Sequence, residues 1–578
     1  MSWSKAERNS FTQESVLAEN IVFRICSIHL ITQSCSSYVF QNPTVPSSSL
    51  SFEPTRCIWL PQRHETKVLV DKYLTYTTYI HHIVHSPSLR ALVDHVYDSL
   101  QNGTQAPMGP AIFLLALCAD VTYSWTSRDE ETGLFMNSEE ANLQAMFWLK
   151  AALDLLDNAQ RNGHASVECT QGLLLMSFVI FNLEGISARA RSIISKAIVM
   201  SRELGLHRID HPSNTMTSQA PRRTALEAEV GRRVWWYLAA TDWMMARFPG
   251  PHEGTYYINP NQMAVRKPLN IDDENLTEGG DFVGLPIEEP TCMSYFLQRM
   301  RLAELSRTFS DRLGLYASSP DTTRYNCVLE IDEAIEKFIQ EIPPFFTMEA
   351  SELRKLLPTD RRRSIGLIVQ RHIINLFVQG QRCKIHIPFF ARGTVEPAYA
   401  RSREVCLKTA QIILETEHEL ERENVTFVST RLRLTAVLHS VFLASIALLL
   451  DLCLGTDAEV KAKSREQMAQ AWRILDGAHG QCLPATRLQD LLRQVMKKNK
   501  IPLPVTTRET NSTSSMGSGP RDALPLTPSS TTNQGPSPAT TSTDPPYFGS
   551  DWDNFDSGMD LDEIDWDSIL LGLDAPLV

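Results

Sequence analysis

A chain of 578 residues that is 43% hydrophobic and 21% charged is no fully disordered polymer, and it is long enough that core size sets no limit. Its net charge of −12 is unevenly placed: residues 551–578 hold nine acids and no Lys or Arg, leaving residues 1–550 at −3 and excluding a body with strong overall attraction for DNA or an anionic membrane. Eleven widely spaced cysteines without a CxxC exclude a disulfide framework and a cysteine-rich zinc site, and they point to a reducing, intracellular compartment.

Residues 1–60 are rich in Ser and Thr and show no helical period, so they read as an irregular N-terminal segment. Ile21–Thr32 is interrupted by Arg24 and His29 and follows acids, which is not a signal-peptide pattern. From 61 to 500 the chain reads as helix after helix, with expected helices at Met146–Ala159, Ser187–Leu206, Leu226–Arg247, Cys292–Leu315, Ile365–Ile385, Ser402–Arg422 and Thr430–Leu454. Within the second of these, Ile186, Ala190, Ile193, Ala197, Met200 and Leu204 recur at steps of three and four, and Gly205 stands where such a helix would stop. Alternating β-branched runs are scarce, so the fold class is all-α. The longest apolar runs, Gly172–Phe181 and Val441–Leu450, are about half a bilayer span, and no membrane partner is expected.

Residues 232–243, RRVWWYLAATDW, crowd three tryptophans and a tyrosine behind two arginines. Taken as a helix, Val234–Leu238 is apolar on every side, the mark of a buried helix, whereas a nucleic-acid stacking platform needs exposed rings in a basic groove. Arg232, Arg233, Trp235, Trp236, Leu238 and Asp242 are therefore the candidate core of this segment. Glu229 precedes Arg233 by four, the favourable order for a helical ion pair. Asp242 lies about 14 Å along the axis from Arg233, so each needs a partner on another element.

This stretch, preceded by LEAEVG, resembles the signature helix of the regulatory domain of fungal zinc-cluster transcription factors, the middle homology region. Residues 165–208, ending in Glu-Leu-Gly-Leu-His at Glu203–His207, are similar to that family's helix pair. Residues 79–100 resemble its opening helix and 379–392 a later one, so the likeness spans roughly 60–455. It implies a helical regulatory domain over 61–500 and a nuclear transcriptional regulator. Members usually carry six cysteines binding two zinc ions, opening CxxCx6C. Here Cys26, Cys35 and Cys57 cannot build that cluster, and RFPGPHEGTYYINPN replaces the usual Gly-Arg-Pro after the signature helix. No cofactor is expected in residues 1–578. Zinc, and with it direct DNA binding, is expected only if such a cluster is missing from this sequence, and 1–60 reads either as a natural truncation or as a mis-set gene start.

Other constellations are weaker. His81, His82 and His85 lack a further ligand and an HExxH pattern, so they read as packed or surface histidines. Arg361–Arg363 and Lys497–Lys500 are candidate import signals, the first equally a solvated helix end. No nucleotide-binding glycine motif and no catalytic serine motif is present.

Residues 501–550 are a Ser/Thr/Pro-rich linker too poor in apolar groups to offset the entropy of ordering. In 551–578, Trp552, Phe555, Leu561, Ile564, Trp566, Ile569, Leu570 and Leu573 alternate with the nine acids. Trp566, Ile569, Leu570 and Leu573 would form one stripe on a helix. Acids that keep such anchors accessible suit an activation segment docking into a coactivator or mediator-type groove. A partner transcription factor or a second copy of the chain is a further expected partner. The alternatives are a regulator without DNA binding that acts through a partner and, from another class, an all-α metabolite-binding protein or enzyme.

Overall fold

The computed structural model describes residues 20–31, 55–216, 223–248, 252–313, 322–348, 350–423, 425–455 and 457–498. The linker and the acidic segment 551–578 lie outside these residues, as does Cys35. Fourteen long helices make up almost all of the described structure: α1 Arg63–Tyr76, α2 Ser86–Gln101, α3 Met108–Tyr123, α4 Ser138–Arg161, α5 Val167–Glu184, α6 Ala188–Glu203 and α7 Ala225–Met245, followed by α8 Ser294–Leu313, α9 Thr322–Glu341, α10 Ile365–His386, α11 Ala400–Glu421, α12 Thr435–Leu454, α13 Ala458–Ala478 and α14 Leu483–Lys498. The fold is all-α. Side-chain caps open many of these helices where the sequence offers a short polar residue. Asn137, Ser166, Ser187, Thr224, Ser364 and Asp457 each accept a hydrogen bond from an otherwise unpaired first-turn N–H.

The segment read as irregular behaves differently. Asn20–Ile25 (β1) and Thr55–Leu60 (β2) pair as parallel strands, with Phe23 opposite Ile58 and Ile25 opposite Leu60. Ile28, Ile31, Ile58 and Leu60 are buried in the same core as the helices that follow, and Glu65 of α1 accepts hydrogen bonds from the Ile28 N–H and the Ser27 hydroxyl. The folded body therefore begins before residue 61. Two six-residue strands joined across a long connection leave no local period to detect.

Apolar side chains form two clusters. The first takes the strands and α1–α7, and the second takes α9–α14. Helix α8 serves both: Phe296, Met300 and Ala303 belong to the first cluster, and Tyr295, Leu302 and Phe309 to the second. The centre of the first cluster is α3, packed against α4 and α5; the centre of the second is α12, packed against α10, α11 and α13. Both α5 and α12 are long and apolar enough to cross a membrane, yet most of their residues are buried within protein. Gly205, with φ +71°, ends the α6 turn in the left-handed conformation expected of it.

The close approach of α3 and α5 depends on Gly172. A Cβ at that position would stand 3.0 Å from Ile112 Cγ2 and 3.4 Å from the Phe113 Cα. Gly172→Leu should therefore overpack the first core and lower the unfolding free energy by about 1–3 kcal/mol in urea denaturation followed by circular dichroism. A fully stable Leu variant would show that the two helices are not held at this spacing.

Candidate functional site

Helix α7 opens with a capping box: the Thr224 hydroxyl accepts from the Glu227 N–H, and the Glu227 carboxylate accepts from the Thr224 N–H. From there the aromatic run enters the core, where Arg233, Trp235, Trp236, Leu238 and Asp242 are all buried. The polar groups on this helix bind pieces of chain that form no long helix of their own. Arg233 Nη1 donates to Asp273 Oδ1 at 2.6 Å, and its Nε lies 3.8 Å from Glu229. Arg232 donates to both oxygens of Asp210 and to Glu229 Oε2, and Asp210 also accepts from the Arg266 N–H.

Among the described residues Asp242 forms no ion pair. Its Oδ2 accepts from the Tyr257 and Ile258 backbone N–H groups at 2.8 and 2.7 Å. The indole N–H groups of Trp236 and Trp243 donate to the Arg266 and Ile258 carbonyls, and Leu269 N–H donates to Glu229. In this way α7 pins the long connection 246–293, which among its described residues contains only single turns of 3-10 helix, Pro260–Gln262 and Asp273–Asn275. An irregular segment must satisfy its backbone groups case by case, and these side chains do so.

Burial pushes the Asp273 carboxyl up, but the charge of Arg233, with smaller contributions from His82 and the Ser86 N–H, brings it down to about 2. Asp210 is brought to about 2 in the same way, burial being outweighed by Arg232 and Arg266. Burial pushes Asp242 up, and the Ile258 and Tyr257 N–H groups, with a smaller contribution from the charge of Arg202, offset it only in part, so it ends near 6. His81 and His82 are buried in the core. Burial lowers them to about 3 and 4, so both are neutral core histidines, and His85 bonds to Ser88 and the Asp273 carbonyl. Among the described residues no cluster of three His, Cys, Asp or Glu could hold a metal ion.

The arginine run is absorbed by structure: Arg361 pairs with Asp272, Arg362 with Asp360, and Arg363 donates to the Leu356 carbonyl. Lys497 stands exposed at the end of α14, while Asn499, Lys500 and every candidate anchor from Trp552 to Leu573 lie outside the described residues.

One face of α7 does not pack solidly. Tyr237, Thr241 and Met244 border a cavity of about 220 Å³ at the seam between the two apolar clusters. Phe178 and Phe181 of α5, Phe377 of α10 and Leu488 of α14 supply further apolar wall. Its polar lining includes Arg299 of α8, Gln381 of α10 and His439 of α12. Arg299 Nη2 donates to Thr241 Oγ1 at 2.7 Å, and its guanidinium lies 4.4 Å from the Tyr237 ring centroid. Sequence pattern alone marks neither this cavity nor Asp210 and Asp273. The available signal for Arg299 is a cation flanked by apolar residues inside SYFLQRMRL, between Tyr295, Phe296, Met300 and Leu302. The aspartates sit in connections, where no periodicity marks them.

Comparison with known proteins places this architecture. Residues 70–338, from α1 to α9, match the family model described as the fungal specific transcription factor domain. The protein named probable transcription factor lepB of Aspergillus flavus is 33% identical over 452 residues, covering 78% of this chain and 80% of the relative. Transcription factor TAS2 of Pyricularia oryzae is 28% identical over 77% of this chain and 61% of its own length. The agnestins biosynthesis cluster transcription factor AgnL11 of Paecilomyces divaricatus is 27% identical over 79% of this chain and 65% of its own. This chain thus spans less than two thirds of the latter two relatives.

Removing one partner of the Arg233–Asp273 pair leaves a buried charge uncompensated. Asp273→Ala should cost about 3–5 kcal/mol in urea unfolding, and adding Arg233→Met should recover much of it. The folded carboxyl, near 2, lies below the roughly 3.9 of an unfolded aspartate, so its contribution is complete above about pH 4 and is lost as pH falls toward 2. The stability gap between wild type and Asp273→Asn should therefore close over that interval. A gap independent of pH would show that the pair is not ionised as drawn.

Proposed function

The chain belongs to the fungal-specific transcription factor family, and on that premise we propose that it is a nuclear activator that recruits a coactivator through residues 551–578. The supporting observation is the tail's pattern: nine acids alternate with Trp552, Phe555, Leu561, Ile564, Trp566, Ile569, Leu570 and Leu573. A pure solubiliser has no use for so many large apolar groups. One relative is named for a biosynthetic gene cluster, which favours a target set of that kind here. The activity is recruitment, not catalysis.

The energetics ask for several anchors at once. Each large side chain buried in a partner groove contributes about 1.5–3 kcal/mol, and a disordered segment loses about 2–5 kcal/mol in folding on its partner. Two or three of the Trp566, Ile569, Leu570 and Leu573 stripe must act together. The acids contribute through longer-range, salt-screened attraction, which speeds encounter more than it holds the complex.

Fused to an unrelated DNA-binding domain, residues 551–578 should activate a reporter. Replacing Trp566, Ile569 and Leu570 with Ala should abolish that activity at unchanged charge, and Asp565→Asn with Asp567→Asn should weaken it less. A silent wild-type fusion, or a triple-Ala variant as active as wild type, would refute docking through these anchors.

A further inference from the structure

We propose that the cavity at the seam of the two cores binds a small, largely apolar molecule carrying a single carboxylate, which Arg299 receives. This site goes beyond the recruitment reading above and does not depend on it.

Three observations carry the proposal. The first is electrostatic. Arg299 is 8% exposed, yet among the described residues no Asp or Glu pairs with it; its acceptors are the Thr241 hydroxyl and, at 3.5 Å, the Tyr237 carbonyl. Buried guanidinium groups are normally paired, because desolvating a charge without a counterion is expensive. Arg233, on the neighbouring α7, follows that rule with Asp273. Arg299 departs from it at the place where its side chain borders open space.

The second observation is volume. A cavity of about 220 Å³ is far larger than the space a single water needs, and its wall is dominated by Phe178, Phe181, Met244, Phe377 and Leu488. Such a wall favours an aromatic or aliphatic body over a hydrated polar one. Ala436 of α12 lines the cavity and is exposed, so a large side chain there would intrude on it.

The third is a further polar atom in the lining. His439 Nε2 has no partner, and burial, with the charge of Lys384, keeps the ring neutral by lowering it to about 3. It offers one hydrogen bond without adding charge. One fixed guanidinium and one neutral imidazole match the planar, singly charged carboxylate, which Arg can hold through two parallel N–H donors.

The test uses the full chain and a matched pair of probes, 2-naphthoate and its neutral analogue 2-naphthylmethanol, followed by tryptophan fluorescence and thermal unfolding. Naphthoate should bind saturably and at least about tenfold tighter than the alcohol, the scale expected of a charge-assisted bond. Arg299→Met should erase that preference by weakening naphthoate alone, while leaving the melting temperature of the unliganded chain unchanged or higher, because an unpaired buried cation has been removed. Ala436→Trp should block both probes without loss of helical circular dichroism. Should Arg299→Met fail to fold, the acid–alcohol comparison in wild type and Ala436→Trp decides alone. Equal binding of acid and alcohol, unchanged naphthoate affinity in Arg299→Met, or no saturable binding of either naphthoate or decanoate would overturn the proposal. Displacement of naphthoate by a peptide of residues 551–578 would do so too, by assigning the cavity to the chain's own tail.

Discussion

A buried guanidinium on one helix organises much of this molecule. Arg233 is fully enclosed in the aromatic heart of α7 and must find an anion without leaving the core. Asp273 supplies it from the middle of a long connection, and the same carboxylate accepts from the backbone N–H and hydroxyl of Ser86 at the start of α2. One ion pair thus fixes three stretches that are distant in sequence. The neighbouring Asp272 extends the linkage: it accepts from the Cys292 N–H just before α8 and pairs with Arg361 ahead of α10. The pair at the centre of the first core therefore helps to set where the second one begins.

Apolar residues of similar volume often stabilise a protein more than a buried ion pair does. Burial area alone does not explain why charges stand here. The connection 246–293 has no helical or sheet ladder to satisfy its backbone, so its course must be specified point by point. Asp242 accepts two hydrogen bonds from that backbone, and Glu229, Trp236 and Trp243 each take or give one. Apolar replacements would pack, but they would leave these N–H and C=O groups without partners and the connection without a register. In a core built of helices, the polar residues of α7 select one path among many for the part that is not helical.

How much of this was legible followed the range of each interaction. The helical elements came from local period and caps, and α7 itself, expected at Leu226–Arg247, runs Ala225–Met245. That Arg233 and Asp242 could not pair with each other followed from helix rise alone, and the structure gives each a separate partner. Their identities were out of reach, because Asp273, Tyr257 and Ile258 meet α7 through folds of the chain that no periodicity records. The paired strands were missed for the same reason, their register being set across residues 26–54. The seam cavity was hidden more deeply: its wall joins α5, α7, α8, α10, α12 and α14, and a void is a property of packing, which sequence period does not describe.

Arg233 and Arg299 show what the difference in partners means. Both are buried arginines on adjacent helices, and both donate to a backbone carbonyl. Arg233 is satisfied by the chain itself, so its contribution is spent on holding the fold together. Arg299 has no carboxylate among the described residues, so the unliganded protein retains an unmet electrostatic demand where α5, α7 and α8 face α10, α12 and α14. A carboxylate that meets it gains from that unmet charge and touches both apolar clusters at once. By mass action, such a ligand at a hundred times its dissociation constant stabilises the bound arrangement by about 2.7 kcal/mol. It can shift the placement of one core against the other only to the extent that it binds two placements unequally. Because α8 is the wall the cores share and also carries the receiving charge, a difference in binding would act directly on the seam, with no relay through the rest of the fold.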